Sequence, residues 1–81
     1  MEFKLTNLKN LESGEYAEVI AVLGEKAIRR RILDVGILPG VRLEVVKRAP
    51  LGDPVQISLR GYDLIIRKTE AEKILVSQRK N

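Results

Sequence analysis

The sequence predicts a mainly β fold: a small, partly open β-barrel of about five strands, with one α-helix over about residues 25–35 and a short helical turn over about 69–74. Three observations carry this. Apolar residues recur at every second position through much of Val41 to Ile66, the period of a strand with one face buried. Gly and Pro punctuate the chain at short intervals, which suits strands joined by turns. Only residues 25–36 carry a clear helical period. In a barrel the closing wall protects strand edges, and the helix plugs one opening.

The elements follow in order. Leu5, Leu8 and Leu11 recur every third residue in "MEFKLTNLKNLESGE". That spacing fits one helical turn or an irregular lead-in that drops leucines onto the core. Ser13-Gly14 is a turn signal. "YAEVIAV", residues 16–22, is rich in β-favouring residues and reads as a strand. Gly24 ends it. In "EKAIRRRILDVG", Ile28, Ile32 and Val35 share one helical face. Glu25 with Arg29 and Arg30 with Asp34 stand one turn apart as acid–base pairs. Gly36 suits the left-handed residue after a helix, and Pro39 prevents the helix from resuming.

After Pro39-Gly40, Val41, Leu43 and Val45 alternate with Arg42 and Glu44. Val55, Ile57 and Leu59 alternate with Gln56, Ser58 and Arg60. Both runs read as half-buried strands. A Gly61-Tyr62 turn would have Gly where a type II′ hairpin needs it, pairing Leu59 with Leu64, Ile57 with Ile66, and Arg60 with Asp63. Thr69 and Glu72 have capping-box spacing, with Ala71 and Ile74 on the buried side. Residues 75–77 form a last short strand. The reading is one domain over 1–81, with its core over about 5–77 and a frayed tail over 78–81. An SH3-like barrel is the nearest common form.

Composition narrows the function. The 81 residues carry a net charge of +4, with neither Cys nor His. No disulfide or thiolate site is available, and the commonest general base and transition-metal ligand is missing. Asp34, Asp53 and Asp63 are the carboxylates at turns, yet ferrous iron favours imidazole or thiolate beside carboxylate. The expectation is therefore no dedicated metal site and no cofactor. Catalysis is not expected either, since there is no nucleophile–base pair and no G-x-x-x-x-G-K-[ST] phosphate loop. "MEFKLTNLKN" lacks a signal peptide's apolar core, and no run approaches the roughly 20 apolar residues of a spanning helix. A cytoplasmic protein without membrane insertion is expected.

The basic balance favours an acidic partner. Nucleic acid is the alternative class, because small β-barrels bind RNA. Aromatic content of 4% argues against it, as stacking platforms are nearly absent. Binding that falls steeply with salt would be its signature.

The sharpest feature is "RAPLGDPV", residues 48–55. Pro50 and Pro54 brace a tight loop, and Leu51 stands at its tip. The plain reading is a stiff hairpin connection whose Pro and Gly set backbone angles. The functional reading is a preorganised contact tip, in which little entropy is lost on binding. Leu51, Asp53 and Pro54 are the candidate partner contacts. Arg29-Arg30-Arg31 wraps a helix, with successive positions roughly 100° apart. The run reads as a solvated face or as a docking patch in which Arg29 and Arg30 anchor an acidic surface. Arg31, nearest the buried stripe, suits an ion pair with Asp34 or a barrel carboxylate.

Residues 29–76 also resemble the FeoA family. The motifs are Arg30-Arg31-Ile32-Leu33-Asp34-Val35-Gly36 through Pro39-Gly40, then Ala49-Pro50-Leu51-Gly52-Asp53-Pro54, then Leu59-Arg60-Gly61-Tyr62. The Arg67-Lys68, Ala71-Glu72 and Ile74 positions fit as well, so the likeness spans about residues 11–76. Val35 departs from the family's more usual Met. The resemblance implies an SH3-like barrel that acts with FeoB, a membrane transporter carrying a cytosolic GTPase domain, in ferrous iron uptake. The same module ends the metalloregulators of the diphtheria-toxin-repressor type. There it follows a helix-turn-helix domain, which this sequence lacks. The resemblance therefore points to the transport-associated form, an interaction module that modulates transport or GTPase cycling, with a metalloregulator-type regulatory domain as a further alternative.

Overall fold

In a computed structural model, which describes residues 2–80, six antiparallel strands form one open sheet. The chain runs β1 (Glu2–Asn7), a 3-10 turn (Leu8–Asn10), β2 (Tyr16–Val22), α1 (Lys26–Asp34), β3 (Arg42–Arg48), β4 (Val55–Leu59), β5 (Tyr62–Ile66), α2 (Lys68–Ala71) and β6 (Ile74–Lys80). The strand order is β1-β6-β2-β3-β4-β5, which leaves β1 and β5 at the two edges. The fold is mainly β, as the alternation predicts.

The sheet curls around an aliphatic core. Val19, Leu43, Val45, Val55, Ile57 and Val76 line its inner face and are wholly or almost wholly buried. Leu8 and Leu11 enter from the lead-in, and Ile32 and Ile37 enter from the helix and the turn behind it. Among the described residues no charged side chain is buried, so the core depends on apolar area, at roughly 25 cal/mol per Å² removed from water.

Several expectations are corrected. The lead-in contains a strand, and Leu5, expected on the core, is 64% exposed. β1 buries neither face, so its residues needed no amphipathic pattern; the ladder with β6 holds it, from Glu2–Lys80 to Asn7–Leu75. The same ladder removes the expected fray at residues 78–80, whereas Asn81 lies outside the described residues. Val35 is 40% exposed at the end of α1, where the helical stripe no longer faces the sheet; Ile28 and Leu33 pack there with Ile32 instead. Neither of the acid–base pairs expected along α1 closes to an ion pair among the described residues. Arg31 does form one, but with Glu70 of α2 (3.2 Å) rather than Asp34.

The β4–β5 hairpin turns at Arg60-Gly61, one position before the expected turn. Both turn residues have positive φ, 49° and 84°, which is the requirement of a type I′ turn. Leu59 therefore faces Tyr62, Ile57 faces Leu64, and Val55 faces Ile66. The slip is two residues in register, so every side chain keeps its expected face. Asp63 stands opposite Ser58, not Arg60, and accepts a hydrogen bond from Gln56 Nε2 (2.9 Å). The cap of α2 also moves: Glu70, not Glu72, reaches back to the N–H of Arg67 (2.9 Å).

Candidate partner-binding site

The loop between β3 and β4 is braced by three hydrogen bonds. Gly52 N–H donates to the Ala49 carbonyl (2.7 Å), closing a turn with Pro50 and Leu51 at its centre. Ala49 N–H donates to the Pro54 carbonyl (3.1 Å) across the base of the loop. Asp53 Oδ1 accepts the backbone N–H of Lys68 (3.0 Å), tying the loop to the start of α2. Proline fixes φ at position 50 before folding, so little further entropy is lost in forming this turn.

Leu51 stands at the tip with 92% of its surface exposed, the most of any large apolar side chain described. Pro50 and Pro54 flank it, also exposed. Asp53 is exposed but engaged: one carboxylate oxygen holds the loop in place. Arg29 and Arg30 lie on the exposed side of α1 and have no ion-pair partner among the described residues. No hydrogen bond joins them to the loop. Among the described residues, α2 links the two groups: it holds the loop through Lys68 N–H and α1 through the Arg31–Glu70 pair.

Three features were not visible in the sequence. Ile65 on β5 is 70% exposed and, with Pro54, lines an open cleft of about 510 Å³ beside the loop. The alternation places it correctly on the outer face, but it gives no reason for an isoleucine there. On the opposite part of the sheet, Phe3, Tyr16, Arg42 and Arg79 line a second cleft of about 280 Å³, with the Arg42 guanidinium 5.0 Å from the Tyr16 ring centre. The third is Arg48, whose guanidinium turns inward and donates to the carbonyls of Leu8, Lys9 and Leu11. A cation at a strand end gives no such signal in sequence, because its acceptors lie 37 to 40 positions away. Gly36 keeps the left-handed conformation that its place after the helix predicts, and the fold adds a long-range reason for it. With φ +100°, it sits against Tyr62, whose hydroxyl donates to the Val35 carbonyl (2.8 Å), and a Cβ there would collide with that hydroxyl.

Among the described residues, no group of three or more His, Cys, Asp and Glu side chains is placed to hold a metal ion. Nor is any helix long and apolar enough to cross a membrane. The geometry is that of a small SH3-like domain whose most distinct surface feature is a rigid apolar tip. The FeoA domain family model matches residues 6–78, and the chain belongs to that family.

Known relatives agree with this. A FeoA-like protein from Clostridium acetobutylicum is 38% identical, with a TM-score of 0.88 over 96% of this chain and 91% of that one. A zinc complex of Stenotrophomonas maltophilia FeoA, described as a prokaryotic SH3 domain protein, is 24% identical with a TM-score of 0.77, over 94% of this chain and 99% of that one; at that distance it shows the fold alone. In Porphyromonas gingivalis (strain ATCC BAA-308 / W83), an Fe(2+) transport protein A/Fe(2+) transporter FeoB fusion protein is 38% identical over 69 residues, 85% of this chain. The chain spans only 8% of that fusion protein's length. Fe(2+) transport and linkage to a FeoB transporter are named for that fusion protein, within which the matched segment is a FeoA domain like this chain.

Proposed function

We propose that this chain is a cytoplasmic accessory module of ferrous iron uptake, a binding protein rather than an enzyme, that docks on a FeoB-like transporter and modulates transport or GTPase cycling. The observation that carries the reading is Leu51, 92% exposed on a turn braced at three points. A rigid apolar tip loses little freedom on docking, so more of its contact energy remains as affinity. Leu51, Pro54 and Asp53 form the contact, with Asp53 also holding its pose, and Arg29 and Arg30 steer an acidic face toward it. The Porphyromonas fusion supports the partner, since two parts that act together lose nothing by being tethered. Docking alters the transporter only by favouring one of its conformations.

The test is capture of the purified protein by a FeoB-like transporter, with and without guanine nucleotide. The Leu51→Ala/Asp53→Ala variant is expected to lose at least tenfold in affinity. The Arg29→Glu/Arg30→Glu variant is expected to slow association and to flatten its salt dependence. Equal capture of all three proteins would overturn the site.

A further inference from the structure

The edge of the sheet beside the loop has a second property. Leu59 and Tyr62 flank a two-residue turn and so form a pair that exchanges both backbone hydrogen bonds. Such pairs alternate along an antiparallel ladder. Ile57–Leu64 and Val55–Ile66 are therefore bonded pairs, while the N–H and C=O groups of Asp63 and Ile65 point away from β4. β5 is an edge strand, and these outward groups have no backbone partner among the described residues. Ile65 is 70% exposed at the same place. Natural edges are usually blunted by Pro, a bulge or a covering segment. β5 carries no Pro and pairs with β4 without a bulge.

The charges at this edge are lopsided. Its acids are engaged: Asp53 by Lys68 N–H, Asp63 by Gln56 Nε2, and Glu70 by Arg31 and by Arg67 N–H. Its cations Lys47, Arg60 and Arg67 have no ion-pair partner among the described residues. We propose that the outer edge of β5 binds an extended, acidic segment of the partner protein as an added strand, with an apolar residue of that segment lying between Ile65 and the Leu51 tip. Backbone pairing through Asp63 and Ile65 supplies affinity, and the free cations select acidic sequence. A second copy of this chain fits poorly. The antiparallel pairing that uses all the outward groups sets Asp63 against Ile65 of the other copy, and the extended Arg67 of each copy then falls opposite Gly61, bringing it up to the other copy's Arg60, a like-charge approach.

The proposal rests on the docking reading for its partner but not for its chemistry, so the test has two arms. Ile65→Pro removes one outward N–H and no ladder bond, and an edge position tolerates it. It is expected to fold and to lose at least tenfold in affinity for a FeoB-like transporter, with Ile65→Ala losing less. In the second arm, a synthetic Glu-Val-Glu-Ile-Glu peptide is titrated into the wild-type protein and followed by NMR. The amides of Asp63 and Ile65 are expected to shift and to gain exchange protection, and a Lys-Val-Lys-Ile-Lys peptide is expected to leave them unchanged. Peptide binding at the edge without transporter capture would sink the docking reading and leave the strand addition standing. Transporter capture indifferent to Ile65→Pro, together with unshifted amides, would overturn the strand addition alone. Self-association lost on Ile65→Pro would overturn it in favour of a dimer.

Discussion

Arg48 and Leu51 stand three positions apart at one end of the β3–β4 hairpin, and each is placed against its polarity. The cation turns inward, onto the carbonyls of Leu8, Lys9 and Leu11. The leucine turns outward, 92% exposed. The difference teaches where this small domain puts its specificity. A 3-10 turn and the coil behind it leave carbonyls that no ladder satisfies, and a guanidinium with a fork of donors meets several at once. Arg48 thereby fixes the base from which the loop projects. The loop can then hold an apolar side chain in water, because its shape comes from prolines, a turn and Asp53 rather than from burial of its tip.

The largest expected effect comes from breaking the inward half. Arg48→Ala leaves the carbonyls of Lys9 and Leu11 without their side-chain donor and the Leu8 carbonyl with the Leu11 N–H alone. A cost of about 2 kcal/mol follows from the usual worth of charge-assisted bonds, or roughly 8–16 °C in Tm for a domain of this size. Arg48→Lys keeps the charge but loses the fork, and falls in between. Thermal unfolding followed by circular dichroism checks both. An unchanged Tm in the alanine variant would mean that the inward cation is not structural, and the contrast with Leu51 would disappear.

A smaller effect sharpens the outward half. Leu51→Ala touches no core contact, so stability is expected to stay within about 0.5 kcal/mol of wild type. Binding, not folding, is where its loss is expected to register. A Tm lowered by more than about 4 °C would mean that the tip packs against the domain instead of being presented to a partner.

The two halves were unequally legible in the sequence. Local features read well: the strands at Val41–Val45 and Val55–Ile66, the helix ended by Gly36, and the turn between Pro50 and Pro54 all follow from spacing and backbone chemistry. The β4–β5 register was read two residues out without moving any side chain to the wrong face, because faces depend on parity alone. Long-range features did not read. β1 buries no face and so carries no pattern; only its ladder to β6, 68 to 78 positions on, makes it a strand. Arg48 is a cation at the end of a strand and Ile65 one apolar residue in a run, and neither is distinguished by its local sequence. Their roles depend on which segments the fold brings beside them, and no local spacing encodes that.

The smallest effect probes the far end of the segment that Arg48 secures. Glu15 Oε1 accepts the backbone N–H of Glu12 (2.6 Å), and Oε2 accepts the side-chain amide of Gln78 (2.7 Å). The Glu12 N–H first, then Gln78, holds this carboxyl below the usual carboxylate range, against a small opposing cost of burial. The folded state therefore binds this proton less readily than the unfolded chain. The resulting stabilisation is complete above the ordinary carboxylate pKa and is lost as pH falls through the lowered folded value. Glu15→Gln still offers an amide oxygen to Glu12 N–H but carries no titrating proton. Its stability is expected to fall less steeply than wild type across the acidic limb, with the two curves furthest apart near neutral pH. Denaturant unfolding at a series of pH values measures this. Parallel curves would show that the Glu15 carboxylate adds nothing to the stability of the segment that Arg48 helps to secure.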